Sequence, residues 1–289
     1  MQMRKITLGV LAGMVAAGSI LSSCKKEEAT LPAIDGYNNA NEVAATNLVA
    51  HWGFEDNGKE TKSGASPVGT KGVTYVKGIK GKALSLANGY LSYDAIAGLS
   101  SLPSATISTW VQVSNNGTTP SCFFSLTRPN EWAGNLNLMA ETGWKKSTID
   151  TLVVKGLLVT KKGGNDSWQD TRNEPSKGGV QANKVAGNSK FFHLVMTYDA
   201  TSAGYLIYVN GTKVSNPEWE IRDGGKLGAL AFSTPTKPVI GAWGTNVTGG
   251  TSESWQVPMT GLLDEIRVYN KALSVGEISA LYKIESAGR

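Results

Sequence analysis

Cysteine and histidine are scarce in this chain, with two of each in 289 residues. Two cysteines cannot build the disulfide framework of many exported domains, and no zinc-ligand spacing is present. No phosphate-binding loop and no Ser-His-Asp motif occurs. Long helical patterns are missing too, because no helical periodicity extends beyond about ten residues except at the C-terminus. These absences argue against a disulfide scaffold, a zinc site and a phosphate-loop enzyme.

The N-terminus carries a short apolar segment rather than a long hydrophobic span. Arg4 and Lys5 precede apolar residues 6–20, and Leu21-Ser22-Ser23-Cys24 follows. This order matches a signal peptide that ends in the lipobox of bacterial lipoproteins. An ordinary signal peptide with an incidental cysteine is the alternative; a lone transmembrane anchor is disfavoured because a span needs ~20 apolar residues. We therefore predict a leader at residues 1–23 and lipid attachment at Cys24.

Charge of either sign is modest. Loss of the two basic leader residues leaves 26 basic against 23 acidic residues, and their scattered placement gives no reason to expect nucleic acid as a partner. Lys25-Lys26-Glu27-Glu28 resembles the signal that sends Bacteroidota-type lipoproteins to the extracellular side of the outer membrane, although a solvated tether is the plainer interpretation. Residues 24–47 are predicted to be the lipidated cysteine and a flexible tether, and residues 48–289 the folded domain. Cys122 is predicted to be buried and unpaired.

Short strand-like runs bounded by turns fill the rest of the chain, and glycine is abundant at 34 residues. Residues 105–113 alternate between the two faces of a strand, whereas residues 191–198 are apolar on both faces, as expected between two packed layers. Asn210-Gly211 is a strong hairpin signal. The pattern predicts an all-β fold, a two-sheet antiparallel sandwich.

The chain ends in a strand followed by a short helix. The two faces of the strand would carry Leu262, Asp264, Ile266 and Val268 on one side and Leu263, Glu265, Arg267 and Tyr269 on the other. Ser274 and Glu277 form a capping box at the start of the predicted helix. Asp264 is unusual, because a carboxylate in an apolar row costs several kcal/mol unless a cation or hydrogen-bond donors meet it.

Six segments together resemble a known family. They are L-V-A-H-W-G-F-E-D at 48–56, G-K-A-L-S-L at 81–86, A-T-I-S-T-W-V at 105–111, F-H-L-V-M-T-Y-D at 192–199, Y-L-I-Y-V-N-G at 205–211 and the 261–274 segment. In order and spacing they are similar to the laminin-G-like (LamG-like), concanavalin A-like lectin/glucanase jelly-roll domains of many surface lipoproteins in glycan-using bacteria. The resemblance implies adjacent first and last strands and a concave face that commonly binds carbohydrate. The same scaffold serves lectins, glycanases, lyases and adhesion modules, so it does not imply one function.

The resemblance also implies a structural calcium ion on the convex side. Asp264 matches the acid of the last strand, Glu55 and Asp56 end the first strand nearby, and Gly81 could offer a backbone oxygen. Carboxylate and carbonyl oxygens suit Ca²⁺, which takes about six to eight of them. The alternative is that Asp264 accepts backbone N–H groups at a strand end. We predict Ca²⁺ as a structural cofactor, with Asp264 as its firmest ligand.

Six of the eight tryptophans fall in loop-like or strand-edge contexts. A Trp ring offers a flat apolar surface to a pyranose, while polar neighbours hydrogen-bond the hydroxyls. For any single loop tryptophan, covering the edge of the sandwich is the plainer interpretation. Trp52 and Trp110 lie within strands and are predicted to be core. The predicted carbohydrate-binding residues are Trp132, Trp144, Trp168, Trp243 and Trp255; Trp219 is the sixth loop tryptophan.

Catalytic carboxylates are not evident. A retaining glycanase on this fold typically carries E-x-D-x-E or E-x-D-x-x-E on one strand, and neither pattern occurs. Glu218 and Glu220 are the nearest pair, but Pro217 and a following Asp-Gly-Gly suggest a loop. His51 and His193 fall in predicted strands, where a histidine is more often structural than a base.

The sequence thus predicts a non-catalytic cell-surface lipoprotein that captures oligo- or polysaccharide, in company with other surface glycan-uptake proteins. An adhesion or structural module that binds protein in a surface complex is the alternative. A glycoside hydrolase or polysaccharide lyase comes third. The three differ in what the folded surface should show: a tryptophan platform, a flat apolar patch, or two carboxyls converging in a cleft.

Overall fold

The structure, a computed structural model, describes residues 31–174, 185–186 and 190–289. These residues form fifteen β-strands and one α-helix. The strands are β1 (Leu48–Trp52), β2 (Gly69–Lys77), β3 (Lys82–Ser92), β4 (Ala105–Gln112), β5 (Ser121–Leu126), β6 (Leu136–Ala140), β7 (Thr151–Leu152), β8 (Val154–Lys162), β9 (Asn165–Arg172), β10 (Val185–Ala186), β11 (Phe192–Asp199), β12 (Gly204–Val209), β13 (Thr212–Lys213), β14 (Pro238–Ile240) and β15 (Met259–Tyr269). The helix, α1, is Val275–Ser286. The predicted leader and Cys24 lie outside the described residues.

Antiparallel pairing joins thirteen of the strands into one curled sheet. Its order is β13-β12-β11-β4-β15-β3-β14-β5-β6-β8-β9, with β1 on β15 and β2 on β3; β7 and β10 pair separately. The two ends of the sheet fold over one apolar core, in which Val111 and Met196 of one layer share a cluster with Phe124 and Leu158 of the other. Both the predicted all-β sandwich and the predicted pairing of first and last strands are confirmed.

One outer face of the sandwich is covered by α1 and by the segment that precedes β1. Ala40 and Val43 are fully buried in a second apolar cluster with Tyr269 and Leu281. The compact unit therefore begins at Ala33, and the segment from there to β1, predicted as tether, is packed on the domain. Its spaced apolar residues were too few to show a periodic pattern, and tertiary contacts hold them.

Local signals at two places gave the right structure. The Ser274 hydroxyl accepts from the Glu277 N–H while the Glu277 carboxylate accepts from the Ser274 N–H, which is the predicted capping box of α1. Asn210 and Gly211, with φ of 49° and 76°, form the predicted hairpin between β12 and β13.

No helix among the described residues is long and apolar enough to cross a membrane.

The predicted alternation of β15 is wrong at one point. The register of β15 on β4 shifts between Asp264 and Arg267, and Glu265 has a φ of 47°. Leu263 faces the core before this bulge, and Ile266 and Val268 face it afterwards. A one-residue irregularity moves the following side chains to the opposite face of the sheet, so Asp264 does not share a row with Ile266.

A fully buried arginine ties β15 to α1 and to the N-terminal segment. Arg267 donates from Nε to Glu285 Oε1 at 2.7 Å and from Nη1 to Asn41 Oδ1 at 2.7 Å. It also donates from Nη2 to Glu265. Burial raises the pKa of Glu285 to about 7 although Arg267 opposes this. Burial also disfavours ionised Glu265, but a hydrogen bond with His51 and the charge of Arg267 outweigh it and lower its pKa to about 2.

Candidate functional site

The outer side of β8 and β9 carries a band of aromatic and charged side chains. Cross-strand pairs on this side are Lys155 with Arg172, Leu157 with Asp170, and Val159 with Trp168. Leu158, between two of them in sequence, lies in the main core. Because side chains alternate along a strand, these six point away from the core. We call this outer side of β8 and β9 the tryptophan face.

A cleft of about 400 Å³ lies on the tryptophan face. It is lined by Trp132, Lys155, Leu157, Trp168, Asp170, Trp219 and Arg222. Its volume lies within the range of about 300–1,000 Å³ common for ligand sites. The cleft combines apolar rings with cationic and anionic groups, so it can both stack on a ligand and hydrogen-bond it.

Four of the predicted tryptophans meet at one end of this cleft. The ring centroid of Trp132 lies 5.6 Å from that of Trp168, 5.0 Å from that of Trp255 and 5.6 Å from that of Trp243. Trp168 is 45% exposed, and the Arg128 guanidinium lies 5.2 Å from its ring. Trp168 is thus the most exposed ring of the cluster, with Trp132 packed against it.

The prediction that Trp243 contacts a ligand is corrected by its burial. Trp243 is 0% exposed, and its ring packs edge-on against Trp255 at 5.3 Å. Its place just after a short central strand, β14, puts it beneath the cluster rather than on the surface. Trp243 therefore supports the other rings. Trp52 and Trp110 are buried, as predicted.

Trp144 marks the other end of the tryptophan face. Its ring is 53% exposed and lies 5.6 Å from the Arg172 guanidinium. The same guanidinium lies 4.3 Å from the Trp219 ring, whose Nε1 donates to the Glu174 carbonyl at 3.0 Å. Arg172 thus links Trp144 to a ring that lines the cleft.

The polar groups of the cleft hold one another in place. Lys155 Nζ lies 3.3 Å from Glu141 Oε1 and 3.0 Å from Asp170 Oδ2. Arg222 donates from Nε to Gln169 Oε1 at 2.9 Å. Such partly buried pairs lose little rotamer entropy when a ligand arrives, because their side chains are already fixed.

Sequence reasoning missed four residues of the site, namely Lys155, Asp170, Arg172 and Arg222. It considered Trp219 as a loop tryptophan but did not include it among the predicted carbohydrate-binding residues. One signal was available, since Trp168, Asp170 and Arg172 have the period-two spacing that puts them on one side of a strand. Trp219 and Arg222 come from a loop almost fifty residues further along. Only the tertiary fold brings that loop over β9.

The predicted metal ligands surround the turn between β2 and β3. Asp264 Oδ2 accepts from the N–H groups of Ile79 and Lys80 at 2.8 and 3.2 Å. Glu55 Oε2 accepts from the N–H of Lys82 at 3.1 Å. Asp264 therefore meets hydrogen-bond donors, the alternative stated from the sequence. Burial still raises its pKa to about 8, against these backbone donors.

Asp56 and Gly81 are placed less favourably for a metal. Asp56 is 67% exposed and lies 2.9 Å from Lys82 Nζ. The carbonyl of Gly81 accepts from the N–H of Gly78 within the turn. In the described part of the chain, no three His, Cys, Asp or Glu side chains form a metal-binding group. A calcium ion held here would rest on the carboxylates of Asp264 and Glu55, with backbone oxygens and water as its other ligands.

A larger cleft, of about 750 Å³, lies beside the middle of β3, the end of β4 and the start of β15. Ser85, Gln112, Asn115 and Thr260 are among its lining residues, and no charged or aromatic side chain in the described chain lines it. Hydroxyl and amide groups can bind a polar ligand there, but without a flat apolar ring. The cleft on the tryptophan face therefore fits a ring-shaped, hydroxylated ligand better.

The residues weighed for catalysis are engaged elsewhere. Glu218 lies in a single 3₁₀ turn, Pro217–Trp219, and Glu220 accepts from Ser215 Oγ at 2.8 Å. His193 is fully buried beside Ser108, and burial lowers its pKa to about 3. His51 is bonded to Glu265 in the buried network. This placement gives neither carboxyl pairing on one strand nor an exposed histidine.

The sequence and fold together define the class of protein. Residues 87–279 match the concanavalin A-like lectin/glucanases superfamily. Because this match covers more than half of the chain, the protein belongs to that superfamily, as the sequence resemblance implied. Curated proteins give no match to the chain.

Solved structures with a similar fold include three ligand-binding domains. Domain 4 of AbnA, a GH43 extracellular arabinanase from Geobacillus stearothermophilus, in complex with arabinotriose, is 19% identical over 82% of this chain and 98% of that one, with a TM-score of 0.54. The binding domain of Paraclostridial Mosquitocidal Protein 1 is 16% identical over 82% of this chain and 52% of that one, with a TM-score of 0.55. The botulinum neurotoxin serotype D ligand binding domain, in complex with N-acetylneuraminic acid, is 14% identical over 83% and 52%, with a TM-score of 0.52. The chain spans about half the length of the two toxin domains, and the likeness is one of fold.

Proposed function

We propose that this domain binds carbohydrate in the cleft of the tryptophan face. The observation that carries the proposal is the exposed ring of Trp168, which packs against Trp132. Asp170, two residues further along β9, is the next side chain on the same side of the strand and also lines the cleft. A pyranose has apolar C–H faces and an equator of hydroxyl groups, so it needs a flat ring and fixed polar groups side by side. The sugar ligands named for the arabinanase domain and the serotype D toxin domain agree with this use of the fold.

In this proposal the domain captures oligo- or polysaccharide and leaves its cleavage to partner proteins. The support is the place of the acidic side chains, because Glu141 and Asp170 both pair with Lys155. A protein-binding adhesion module remains the alternative function. It differs in its ligand, which the experiment below identifies.

The test is affinity electrophoresis of the chain without its leader through gels that contain plant, microbial or host polysaccharides. We expect one class of glycan to retard the protein. Trp168→Ala should weaken that binding at least about tenfold, since a central aromatic contact commonly supplies 1.4 kcal/mol or more. Val275→Ala, an exposed apolar truncation on α1, is the matched control and should migrate like the parent. Retardation that Trp168→Ala leaves intact would place the glycan elsewhere, and no retardation in any gel would favour the adhesion module.

We also propose that the domain is displayed on the extracellular side of the outer membrane by lipid on Cys24. The support is the order of basic, apolar and Leu-Ser-Ser-Cys segments, followed by two lysines and two glutamates. Intact-mass measurement of membrane-extracted protein should give a chain that begins at Cys24 and carries acyl groups. A mass for an unacylated or uncleaved chain would contradict the proposal, and Cys24→Ser should abolish the acyl mass.

Finally, we propose that the turn between β2 and β3 binds a structural calcium ion through Asp264 and Glu55. The support is chemical: Asp264 is fully buried, burial raises its pKa, and among the described residues it forms no ion pair with a cationic side chain. A Ca²⁺ ion would supply the missing positive charge, and hard oxygen ligands suit it. Calcium that raises the melting temperature of the parent but not of Asp264→Asn would support the site.

A further inference from the structure

The tryptophan face contains an arginine that contacts aromatic rings rather than a carboxylate of the described residues. Arg172 is held between two rings, with its guanidinium 4.3 Å from Trp219 and 5.6 Å from Trp144. Among the described residues, its buried Nε has no hydrogen-bond partner. In the described part of the chain, Arg172 forms no ion pair, whereas Lys155 on the same face pairs with two carboxylates.

The carboxylates near Arg172 are committed to other cations. Asp170 and Glu141 both pair with Lys155, and Glu174 lies 2.8 Å from Lys145 Nζ. The sequence offers no substitute further on, because residues 175–198 contain three lysines and no aspartate or glutamate. The positive charge of Arg172 is therefore not neutralised by the chain that follows β9.

The two rings prepare this arginine for an anion. A guanidinium over an aromatic face is attracted to it and held in few rotamers, which lowers the entropy cost of binding. Arginine then presents a planar fork of N–H donors that matches a carboxylate or sulfate with two parallel hydrogen bonds. Arg172 is only partly buried, and it follows Asp170, which lines the cleft, on the same side of β9.

We propose that the ligand of this cleft is an acidic carbohydrate, and that Arg172, positioned by Trp144 and Trp219, binds its carboxylate or sulfate group. The inference rests on the proposed function of the cleft. A neutral glycan can stack on Trp168 but leaves Arg172 without a partner. An acidic sugar satisfies both ends of the tryptophan face, since Arg172 lies about 13 Å along β9 from Trp168, roughly the reach of two to three sugar rings.

The alternative role for Arg172 is structural, as a clamp between two tryptophan rings. The two roles differ in what the arginine discriminates. A clamp affects every ligand alike, whereas an anion site affects only the charged ones. The experiment therefore compares each acidic ligand with a neutral counterpart.

Binding is measured by titration calorimetry on the chain without its leader, using three matched pairs. They are polygalacturonate with its methyl ester, sialyllactose with its methyl ester, and dextran sulfate with dextran. We expect the acidic member of one pair to bind at least about tenfold more tightly than its neutral partner. Arg172→Gln should remove that preference and leave the affinity for the neutral member unchanged. Lys271→Gln, which removes the same charge from a cation paired with Glu277, should keep the preference.

Each outcome decides one of the two proposals. If the neutral member binds as tightly as the acidic one, or if Arg172→Gln weakens both equally, the acidic ligand is refuted and the carbohydrate site stands. If no member of any pair binds but a gel polysaccharide retards the protein, the acidic ligand is refuted; if neither experiment detects binding, the carbohydrate function itself fails. A preference that both variants lose alike is general electrostatic attraction and refutes the role of Arg172. Arg172→Lys, which keeps the charge but not the fork, should retain part of the preference and serves if the glutamine variant is unstable.

Discussion

Replacement of Arg267 by methionine is expected to lower the free energy of unfolding by about 3–5 kcal/mol, the usual cost of removing one partner from a buried ion pair. Arg267 is 0% exposed and makes hydrogen bonds to Glu285, Glu265 and Asn41. Methionine would fill much of the space but leave two buried carboxylates without their shared cation. The substitution would weaken the packing of both α1 and the segment before β1, because the arginine joins β15 to each of them.

Urea unfolding followed by tryptophan fluorescence measures this effect. Lys283→Ala is the matched control, since it breaks an exposed pair between α1 and Asp35 and should cost no more than about 1 kcal/mol. The double variant Arg267→Met, Glu285→Leu should recover part of the loss, because it removes one of the stranded charges. If Arg267→Met costs no more than Lys283→Ala, the buried network does not stabilise the domain.

Without calcium, the domain is expected to lose stability as the pH rises from about 4 to about 8. Burial raises the pKa of Asp264 from 3.8 to about 8, so between these values the folded state keeps a proton that the unfolded chain releases. Stability therefore falls with rising pH in this window, by up to about 1.4 kcal/mol per pH unit from this group. Urea midpoints at pH 5 and pH 8 in chelator measure the slope.

Calcium should remove this loss, because the ion favours the ionised carboxylate and binds the folded state alone. Asp264→Asn should abolish both the contribution of this group to the pH slope and the response to calcium. Glu55→Gln separates the two effects: it removes a proposed ligand, so it should weaken the calcium response, but it leaves the Asp264 carboxyl to titrate. An unchanged pH slope in Asp264→Asn would show that this carboxyl is ionised throughout.

Local elements of this fold could be predicted because their causes are local. The capping box of α1 needs only Ser274 and Glu277, three residues apart, and the β12–β13 hairpin needs only Asn210 and Gly211. The β15 bulge could not be predicted this way. Glu265 adopts a positive φ, although the residue is neither a glycine nor an asparagine, the types that commonly do so. The shift in strand register is fixed by the pairing of β15 with β4.

The type of residue in the candidate site could be predicted from the sequence, but which tryptophans are exposed there could not. Loop tryptophans indicated a stacking surface, and Trp132, Trp168 and Trp255 do cluster. Trp243 looked equivalent in sequence, yet it is buried beneath them. The burial of a side chain depends on which distant segments pack over it. The residues next to it in sequence do not show which segments those are.

The sequence by itself determined the all-β class, the resemblance to concanavalin A-like domains and the C-terminal helix. Each follows from residues close together in the chain or from the order of short motifs along it. The tertiary structure alone decided that Arg172 lies between Trp144 and Trp219, and that Arg267 meets Glu285 and Asn41. These side chains come from segments far apart in sequence, and the curled sheet brings them within a few ångströms of one another.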